Sequence, residues 1–426
     1  MLALLLTINA GARPSAFVKY HTVREENPDA KGSWLAFPYA FPCDSMGTTF
    51  GAVGMTRGYL QDQMGMVATV FESVDDARGM VFSIWDFRVP GLDRMYLTTL
   101  GSAGHYPRQR AYANYPGGFY GTKAGSNDSS PDDYVEDSGE NNWLNLKMEY
   151  VLPIGSATVN PVMTYRLRQG MLVSEPSGGD TWNPLESGVS VLMLQQRFTY
   201  QSYETDLGEI DGDVSPVDLA LLYNNTDYAP NPSKGSSQYI CLTHDFSERN
   251  DNGEWSFVEF EASKYFALPT IDSALQQVIA LNFWTGFSPE WDQYTNGDGE
   301  SFIKHKPPFF EGADLGGFYR MRGYPNHRFN DKAVIYSTAE YRHTLRWNPL
   351  RNISWLGFLD PDWIQLVASV EGGRVSDTCT ASELLSDWKF CGGVGVRLML
   401  SGAVFRLDTS VSDEAVNTWV MMGHPF

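Results

Sequence analysis

Residues 307–347 read PPFFEGADLGGFYRMRGYPNHRFNDKAVIYSTAEYRHTLRW, and this stretch decides the fold. Its first half has the features of a loop: Leu315-Gly316-Gly317 is a flexible entry, and Arg322-Gly323-Tyr324 places a charged residue before a kink. Its second half alternates and predicts a long strand with Glu340 and Arg342 on one face. If this loop folds into a closed sheet, the Arg322 charge needs a carboxylate partner, because an unpaired buried charge is costly.

The same two-residue alternation recurs along the chain, separated by connections rich in Gly, Asn, Asp and Pro. In the segment 144–152, five apolar side chains alternate with Asn145, Lys147 and Glu149. Similar alternation is present at 163–168, 258–263 and 405–411. Each segment therefore has one apolar face and one face with charges of both signs, and we find no domain break between the segments.

Alternation alone fits either a soluble β-sandwich or a membrane barrel whose apolar faces contact lipid. Three features favour the barrel. The strand candidates number about sixteen or seventeen, which leaves roughly 26 residues for each strand and its connection; tight and long connections are mixed; and aromatic residues cluster near strand ends, as at 85–87 and 283–284. The sequence predicts an all-β fold, a transmembrane antiparallel β-barrel of about 16 strands. Residues 34–40 leave the count uncertain by one, as a first strand or a leader outside the barrel.

The composition excludes several other classes of protein. Aromatic residues make up 14% of the 426 residues, which argues against disorder. The net charge of −20 argues against a nucleic-acid partner. Charged residues make up only 19%, which is low for a soluble protein but is expected if half of each strand faces lipid. No stretch approaches the ~18 to 20 apolar residues of a membrane-spanning helix.

The N-terminus and the cysteines leave alternatives open. Residues 1–12 contain an apolar run and the small-residue pattern Ala10-Gly11-Ala12, so they are either the remainder of a signal peptide or an ordinary apolar N-terminus. We expect 13–33 to be a periplasmic leader and 34–426 to form a single barrel domain. Cys379 and Cys391 fit either a loop-closing disulfide or two free thiols.

The chain offers no recognisable catalytic chemistry. It contains no nucleophile elbow, no His-Glu-x-x-His motif, no phosphate loop and no dinucleotide turn, so we predict that it is not an enzyme and has no cofactor or metal centre. Two acidic segments, 128–140 and 204–213, fit either binding of divalent cations or lipopolysaccharide bridged by them, or ordinary solvated loops. The spacing of their carboxylates favours solvated loops.

The segment 307–347 closely resembles the bacterial surface-antigen superfamily of outer-membrane barrels, the BamA/TamA type. The family pattern is a Gly-Gly entry, then (V/L)RG(F/Y), then a strand ending in E-x-R, and here Met321 takes the place of Val or Leu. Four other stretches resemble family segments in the same order along the chain: Phe119-Tyr120-Gly121, 224–235, 392–398 and the C-terminal Gly423-His424-Pro425-Phe426.

The resemblance implies a barrel in the Gram-negative outer membrane, with the loop carrying Arg322, Gly323 and Tyr324 folded into the lumen. It also implies that Arg322 meets an acidic residue of the strand motif "FxDxG", which reads Ser369-Val370-Glu371-Gly372-Gly373 here. Glu371 is therefore the first candidate partner and Glu340 the second. Phe426 stands where the family has a C-terminal insertion signal, and it shares one face of the last strand with Val420 and Met422, which we expect to contact lipid.

For function, the resemblance implies insertion or translocation of protein or lipid through a weak seam between the first and last strands. About thirty residues precede the first strand candidate, so we expect a barrel-only member without periplasmic transport-associated repeats, which would need a separately encoded periplasmic partner. The alternative is a structural or surface-binding, receptor-like barrel. Expected partners are outer-membrane lipid and lipopolysaccharide, the barrel-assembly machinery and, if its apolar sides associate, a second copy of the chain.

Overall fold

The computed structural model describes residues 15–29, 32–43, 46–114, 118–205, 208–247, 249 and 253–426. Its one short α-helix is α1 (Ala381–Leu384), and three 3₁₀ turns lie at Gly155–Ala157, Pro349–Asn352 and Ser354–Leu359. No helix within these ranges is long and apolar enough to cross a membrane. The strands are, in chain order, β1 (Tyr20–Arg24), β2 (Ser33–Cys43), β3 (Gly47–Arg57), β4 (Gly65–Ser73), β5 (Arg78–Arg88), β6 (Met95–Ala111), β7 (Val135–Val151), β8 (Met163–Arg168), β9 (Met171–Leu172), β10 (Val189–Thr205), β11 (Gly208–Val214), β12 (Val217–Thr226), β13 (Gly235–Asp245), β14 (Trp255–Leu268), β15 (Ala274–Phe287), β16 (Asp292–Thr295), β17 (Ser301–Lys304), β18 (Ala313–Leu315), β19 (Phe329–Asp331), β20 (Ala333–Leu345), β21 (Pro361–Ser376), β22 (Lys389–Leu400), β23 (Ala403–Val411) and β24 (Val416–Met422).

In the described part of the chain, seventeen strands form a closed barrel. Each wall strand pairs antiparallel with the next wall strand along the chain, from β2 round to β24. Strands β11 and β12 pair with successive parts of β10 and act as one wall strand interrupted at Ser215-Pro216. The wall thus has sixteen strands, as predicted, and residues 34–40 belong to the first of them.

The alternation in the sequence separates a lipid-type face from a lumen. Outward side chains are large, apolar and exposed, for example Trp34, Val70, Leu192, Ile240 and Val394. Inward positions bury charged groups, among them Glu149, Arg197, Glu340, Glu371 and Arg397. These are the two faces expected of strands that stand between lipid and a polar interior.

The barrel has two ends, which we call the terminal rim and the loop rim. The terminal rim carries the start of β2 and the end of β24, and the loop rim carries the connection 288–332 between β15 and β20. At the loop rim, this long loop contacts the connection 112–134: Phe119 and Ser301 form a β-bridge, and the Arg328 Nη1 donates to Ser129 Oγ (2.8 Å). The loop rim is therefore capped by two connections that brace each other.

The terminal rim is filled by what we call the plug, residues 15–24 together with the connection 152–188. Strand β8 of this connection pairs parallel with β1 and antiparallel with β9. Val18, Met163 and Tyr165 from the plug share a buried apolar cluster with inward wall residues such as Val191 and Trp363. The half of the lumen near this rim is thus packed like the core of a globular protein.

The first and last wall strands meet without a backbone ladder in the described ranges; we call this meeting the seam. Phe405 on β23 points outward with Leu407, yet Phe405 is only 7% exposed whereas Leu407 is 39% exposed. Phe405 shares a buried cluster with the inward residues Leu35 and Val53 of β2 and β3. The outer face of the last strands therefore lies beneath the inner face of the first strands, and the seam is an overlap.

Three expectations from the sequence differ from the structure. The alternating segment 163–168 is a plug strand and not part of the wall, because it pairs with β1 and β9 alone. Phe426 lies inside the lumen and not on the lipid face: its ring stacks on Tyr265, an inward residue of β14, at 6.4 Å between centroids. Val420 and Met422 point outward but pack beneath the first strands in the seam cluster.

Of the two alternatives for the cysteines, Cys379 and Cys391 are free thiols in the structure. Residues 1–12, the candidate signal peptide, lie outside the described residues.

The packing of the plug predicts a large effect of Trp363→Ala. Trp363 is 1% exposed within the apolar cluster at the terminal rim. Its removal leaves a cavity between plug and wall, and we expect the free energy of unfolding to fall by about 3–5 kcal/mol. Unfolding of the purified barrel in urea measures this change. Val159→Ala on the plug, at a side chain that is 92% exposed, is the control and should change stability by less than about 0.5 kcal/mol. Equal effects of the two substitutions would contradict a packed plug.

Candidate functional site

The long loop enters the lumen through a short hairpin, β18 and β19, and turns back at 316–324. Gly316 and Gly317 both have positive φ (113° and 108°), a conformation that side chains rarely allow. Gly323 is needed for a different reason: a Cβ there would come within 2.5 Å of the Cβ of Cys391 on β22. The glycines noted in the sequence thus make the turn and let the loop tip touch the wall.

The loop tip delivers Arg322 to three carboxylates on three different wall strands. Its Nε lies 2.7 Å from Glu371 Oε1 on β21, its Nη2 2.9 Å from Glu340 Oε1 on β20, and its Nη1 2.6 Å from Asp408 Oδ2 on β23. All four side chains are at most 3% exposed. One guanidinium therefore ties a sector of the wall to the loop.

The wall contributes three further arginines to this cluster. Arg397 Nη2 lies 2.7 Å from Glu340 Oε1, and Arg342 Nε lies 2.9 Å from Glu340 Oε2. Arg406 Nη1 lies 2.6 Å from Asp408 Oδ2. Four guanidinium groups thus face three carboxylates, and we call these seven side chains the lumen ion cluster.

The charge of Arg322 is stabilised by its partners and not by solvent. Burial disfavours its charged form, but the nearby charges of Glu371, Glu340 and Asp408 outweigh burial and raise the pKa of Arg322 well above its usual value. The Tyr336 hydroxyl also donates to Glu371 Oε2 (2.8 Å). Because a buried charge without partners is strongly destabilising, the loop tip can rest here only while the three carboxylates remain in place.

The loop tip is also fastened to the last hairpin of the wall. The Tyr324 hydroxyl donates to Asp413 Oδ1 (2.6 Å), and Ser412 Oγ donates to the Gly323 carbonyl (2.9 Å). Trp419 Nε1 on β24 donates to the Arg322 carbonyl (2.8 Å). All three residues of the Arg322-Gly323-Tyr324 motif therefore contact β23, β24 or the turn between them.

A second set of contacts holds the loop to the opposite side of the lumen. Arg320 Nη2 pairs with Glu261 Oε2 on β14 (2.5 Å), and its guanidinium lies 3.8 Å from the ring centroid of Trp284. Glu311 pairs with Arg197 on β10, which also bonds Asp218. The loop thus spans the lumen from β10–β15 to β20–β24.

Sequence reasoning named Arg322, Glu371 and Glu340, and the structure brings the three together. The sequence pattern did not identify Asp408 or Arg397 as members of the cluster. Both had a signal in the sequence: Asp408 lies on the charged face of the alternating segment 405–411, and Arg397 lies in the segment 392–398 that resembles the family. What the pattern could not supply is the register that sets β22 and β23 opposite the loop tip.

The lumen contains a small polar cavity beside the long loop. A cavity of about 40 Å³ lies between the loop and β10–β15, lined by groups that include Arg197, Glu259 and Glu311. Since one water needs roughly 10–15 Å³ by this measure, the cavity holds a few water molecules. No group of three or more His, Cys, Asp or Glu suited to a metal ion is present in the described ranges.

Arg322→Ala is expected to destabilise the barrel. The change removes the cation that pairs with the buried Glu371, whereas Asp408 keeps its pair with Arg406, and removing one partner of a buried pair costs about 3–5 kcal/mol. The measurement is the temperature at which the folded band on a gel converts to the unfolded one. Arg249→Ala, which breaks an exposed pair with Asp213 at the loop rim, should cost less than about 1 kcal/mol. An unchanged conversion temperature for Arg322→Ala would contradict a structural role for the cluster.

The loop should also loosen as the pH rises. Burial lowers the tendency of His327 to be charged, but Asp314, whose Oδ2 lies 2.7 Å from Nδ1, raises the pKa of His327 above 6.5. A raised folded pKa contributes stability that is complete below 6.5 and is lost as the pH rises through the folded value. The free energy of unfolding, measured from pH 6 to pH 9, should therefore fall more in the wild type than in His327→Gln. Parallel pH profiles would refute this contact.

The chain matches no protein-family model, and no curated protein is significantly similar to it in sequence. Among solved structures it is similar to CdiB from Escherichia coli, with a TM-score of 0.52, 12% identity, and coverage of 92% of this chain and 62% of CdiB. It is also similar to BamA from Haemophilus ducreyi lacking POTRA domains 1–3, with a TM-score of 0.47, 10% identity, and coverage of 93% and 71%. The chain thus spans less than two thirds of the CdiB chain. It has the barrel fold of CdiB, so the antiparallel β-barrel predicted from the sequence is confirmed at the level of the fold.

Proposed function

We propose that this protein is an outer-membrane barrel that inserts or translocates protein or lipid by opening its seam, without catalysing a reaction. In this proposal the terminal rim faces the periplasm and the loop rim faces the exterior. The observation that carries the proposal is the overlap between the outer face of β23–β24 and the inner face of β2–β4.

The overlap is held by apolar contacts. Leu35 and Phe37 of β2 line a small gap of about 10 Å³ with Met55 of β3, Phe405 of β23 and Met422 of β24. Apolar contacts are non-directional, so the two faces can move past each other without breaking hydrogen bonds. A backbone ladder would instead have to lose a row of hydrogen bonds before the strands could part.

An open seam would present two unpaired strand edges at the level of the lipid. Unpaired backbone groups are strongly disfavoured in hydrocarbon, and a third strand entering between them would satisfy them. This supports lateral insertion of a strand-forming client and requires no central channel.

Because the lumen is filled, we favour the seam and not a central pore as the route that a client takes. The plug occupies the terminal rim, and the long loop crosses the lumen above it, anchored by Arg320 on one side and Arg322 on the other. A client moving through the lumen would have to displace both elements and break the lumen ion cluster. A client moving through the seam needs only the apolar overlap to separate.

The proposal implies particular partners. Outer-membrane lipid and lipopolysaccharide contact the apolar outer face, and a separately encoded periplasmic protein delivers clients to the terminal rim. The barrel-assembly machinery inserts this chain itself. Because Phe426 is inside the folded lumen, it serves as an insertion signal only before β24 closes. Association of two copies through the apolar outer face is compatible with this arrangement.

The alternative is a structural or receptor-like barrel with no transport activity. The observation that favours it is the cap on the loop rim, in which the connections 112–134 and 288–332 bind each other through Arg328, Lys123 and Asn330. A rigid exterior surface of this kind suits recognition of an external ligand. The two functions differ in whether the seam has to move.

Depletion of the protein from its own cell tests the proposal. If the barrel inserts or translocates clients, the composition of the outer-membrane proteome or the lipid asymmetry of the membrane changes as the protein is lost. A membrane that stays the same in both respects would overturn the proposal and leave the receptor-like alternative.

Locking the seam tests the route. In a Cys43→Ser, Cys379→Ser background, Leu35→Cys and Met422→Cys place two thiols across the gap, and a short reducible crosslinker should join them. We expect the locked protein to reproduce the depletion phenotype and the reduced protein to restore function. Val396→Cys with Leu407→Cys joins β22 to β23, which are already paired, and should have no effect. Full function with a locked seam would exclude the lateral route.

A further inference from the structure

The N-terminal part of the plug, residues 15–24, occupies a groove inside the terminal rim. At Ser15 this segment lies well inside the lumen, where Lys147 Nζ of β7 donates to the Ser15 carbonyl (2.6 Å). It leaves at the rim, where Arg24 Nη2 lies 2.5 Å from Asp362 Oδ1 of β21. Between these points it adds β1 to one edge of β8, with five residue pairs in parallel register from Tyr20 to Arg24.

Lys19 is the most demanding contact of this segment. It is 0% exposed, and its Nζ lies 2.6 Å from Asp86 Oδ1 of β5 and 2.7 Å from Glu149 Oε2 of β7. Burial disfavours the charged form, but Asp86 and then Glu149 outweigh it and raise the pKa of Lys19 above its usual value. Two wall carboxylates are thus arranged around one ammonium group that comes from outside the wall.

The remaining contacts are those of an extended peptide bound to a receptor. The Phe17 N–H donates to Glu149 Oε1 (2.9 Å), and Ala16 and Val18 are buried (1% and 4% exposed) in the apolar cluster of the terminal rim. Addition to a strand edge, side-chain pockets and one charge contact are how proteins recognise extended chains. The groove reads small or β-branched apolar residues at two positions and a cation at a third.

We propose that this groove is a binding site for extended polypeptide, and that residues 15–24 occupy it as an internal stand-in for a client segment with a lysine next to small or β-branched apolar residues. The proposal deepens the proposed function and rests on it, because it names the feature by which the barrel would recognise a client. The lysine is selected because Asp86 would otherwise be buried without its close cation, and Glu149 would keep only the longer pair with Lys147 (3.4 Å).

A client segment can replace residues 15–24 without rearrangement of the groove. The connection 152–188 is joined to the wall at both ends by β7 and β10, so the β8 edge and the carboxylates stay in place when residues 15–24 leave. A client segment would then recover the same five-residue ladder and the same ion pairs. Besides the lysine and its apolar neighbours, the side-chain contacts of the internal segment include those of Tyr20 with Arg57 and of Arg24 with Asp362, which lie toward the rim.

Peptide binding to the full-length protein in detergent tests this inference. The probe is a fluorescent peptide with the sequence of residues 15–24, SAFVKYHTVR. In Lys19→Met protein the internal segment competes poorly, and we expect the peptide to bind at least about 10-fold more tightly than to wild type, in line with the cost of burying unpaired charges. The same peptide with methionine in place of lysine should lose this gain. Asp86→Asn with Glu149→Gln should remove the preference for lysine.

A second measurement guards against misfolding of these variants. In a background without Cys43 and Cys379, Val18→Cys should be protected from maleimide in the otherwise wild-type barrel, because Val18 is buried, and excess lysine peptide should increase its labelling. Equal binding of both peptides, or labelling that does not respond to the peptide, would overturn the inference. Peptide binding with an unchanged membrane after depletion would overturn the proposed function instead, so the two failures are distinguishable.

Discussion

The fold depends on one buried guanidinium. Arg322 can lie in the lumen only because Glu340, Glu371 and Asp408 extend toward it from three wall strands. These carboxylates in turn can be buried only because each of them pairs with a cation. The loop and the strands β20–β23 therefore specify each other. Loop attachment and strand register form together, which makes this sector the most strongly constrained part of the barrel.

The rest of the wall is organised around this fixed sector. β24 is bound to the loop tip through Trp419, and the residues beyond it turn into the lumen, where Phe426 packs against Tyr265 of β14. The last strand is thus held inward by polar contacts on its lumen side. Its outer face meets β2–β4 through the apolar seam cluster and without a ladder in the described ranges, whereas the other neighbouring strands of the wall are joined by ladders, so the seam is the weakest joint.

A feature of this fold could be predicted from the sequence when the interaction behind it joins residues that are close along the chain. Alternation is local, so it predicted the wall strands and their two faces, including the strand that carries Glu340. The turn at Gly316 and Gly317 was also predictable, because it depends on the backbone freedom of these two residues themselves. The prediction that Phe426 faces lipid was wrong because alternation relates this residue only to Val420 and Met422 of the same strand. Its actual position depends on the overlap of β24 with strands almost 400 residues earlier. The assignment of 163–168 to the wall was wrong for the same reason, because a six-residue alternating strand has the same sequence pattern in a barrel wall and in a plug. The carboxylates that hold Lys19 lie 67 and 130 residues away from it, and no local pattern joins them.

The plug and the seam are mechanically connected. Residues 25–32 link β1 of the plug to β2 at the seam, and Arg57 of β3 donates to the Tyr20 hydroxyl (3.0 Å) and carbonyl (3.2 Å) of β1. Strands β20–β23 are held by the lumen ion cluster, and β24 is held by the contact of Trp419 with the loop tip. Separation of the seam therefore has to move β2–β4, and that movement pulls on Tyr20 and on the segment that carries Lys19. Conversely, displacing residues 15–24 removes the contact that ties β3 to the plug. Occupation of the groove by residues 15–24 and closure of the seam therefore stabilise each other. In the proposed function, a client that displaced these residues would remove the contact of Arg57 with Tyr20 and so weaken the closed seam.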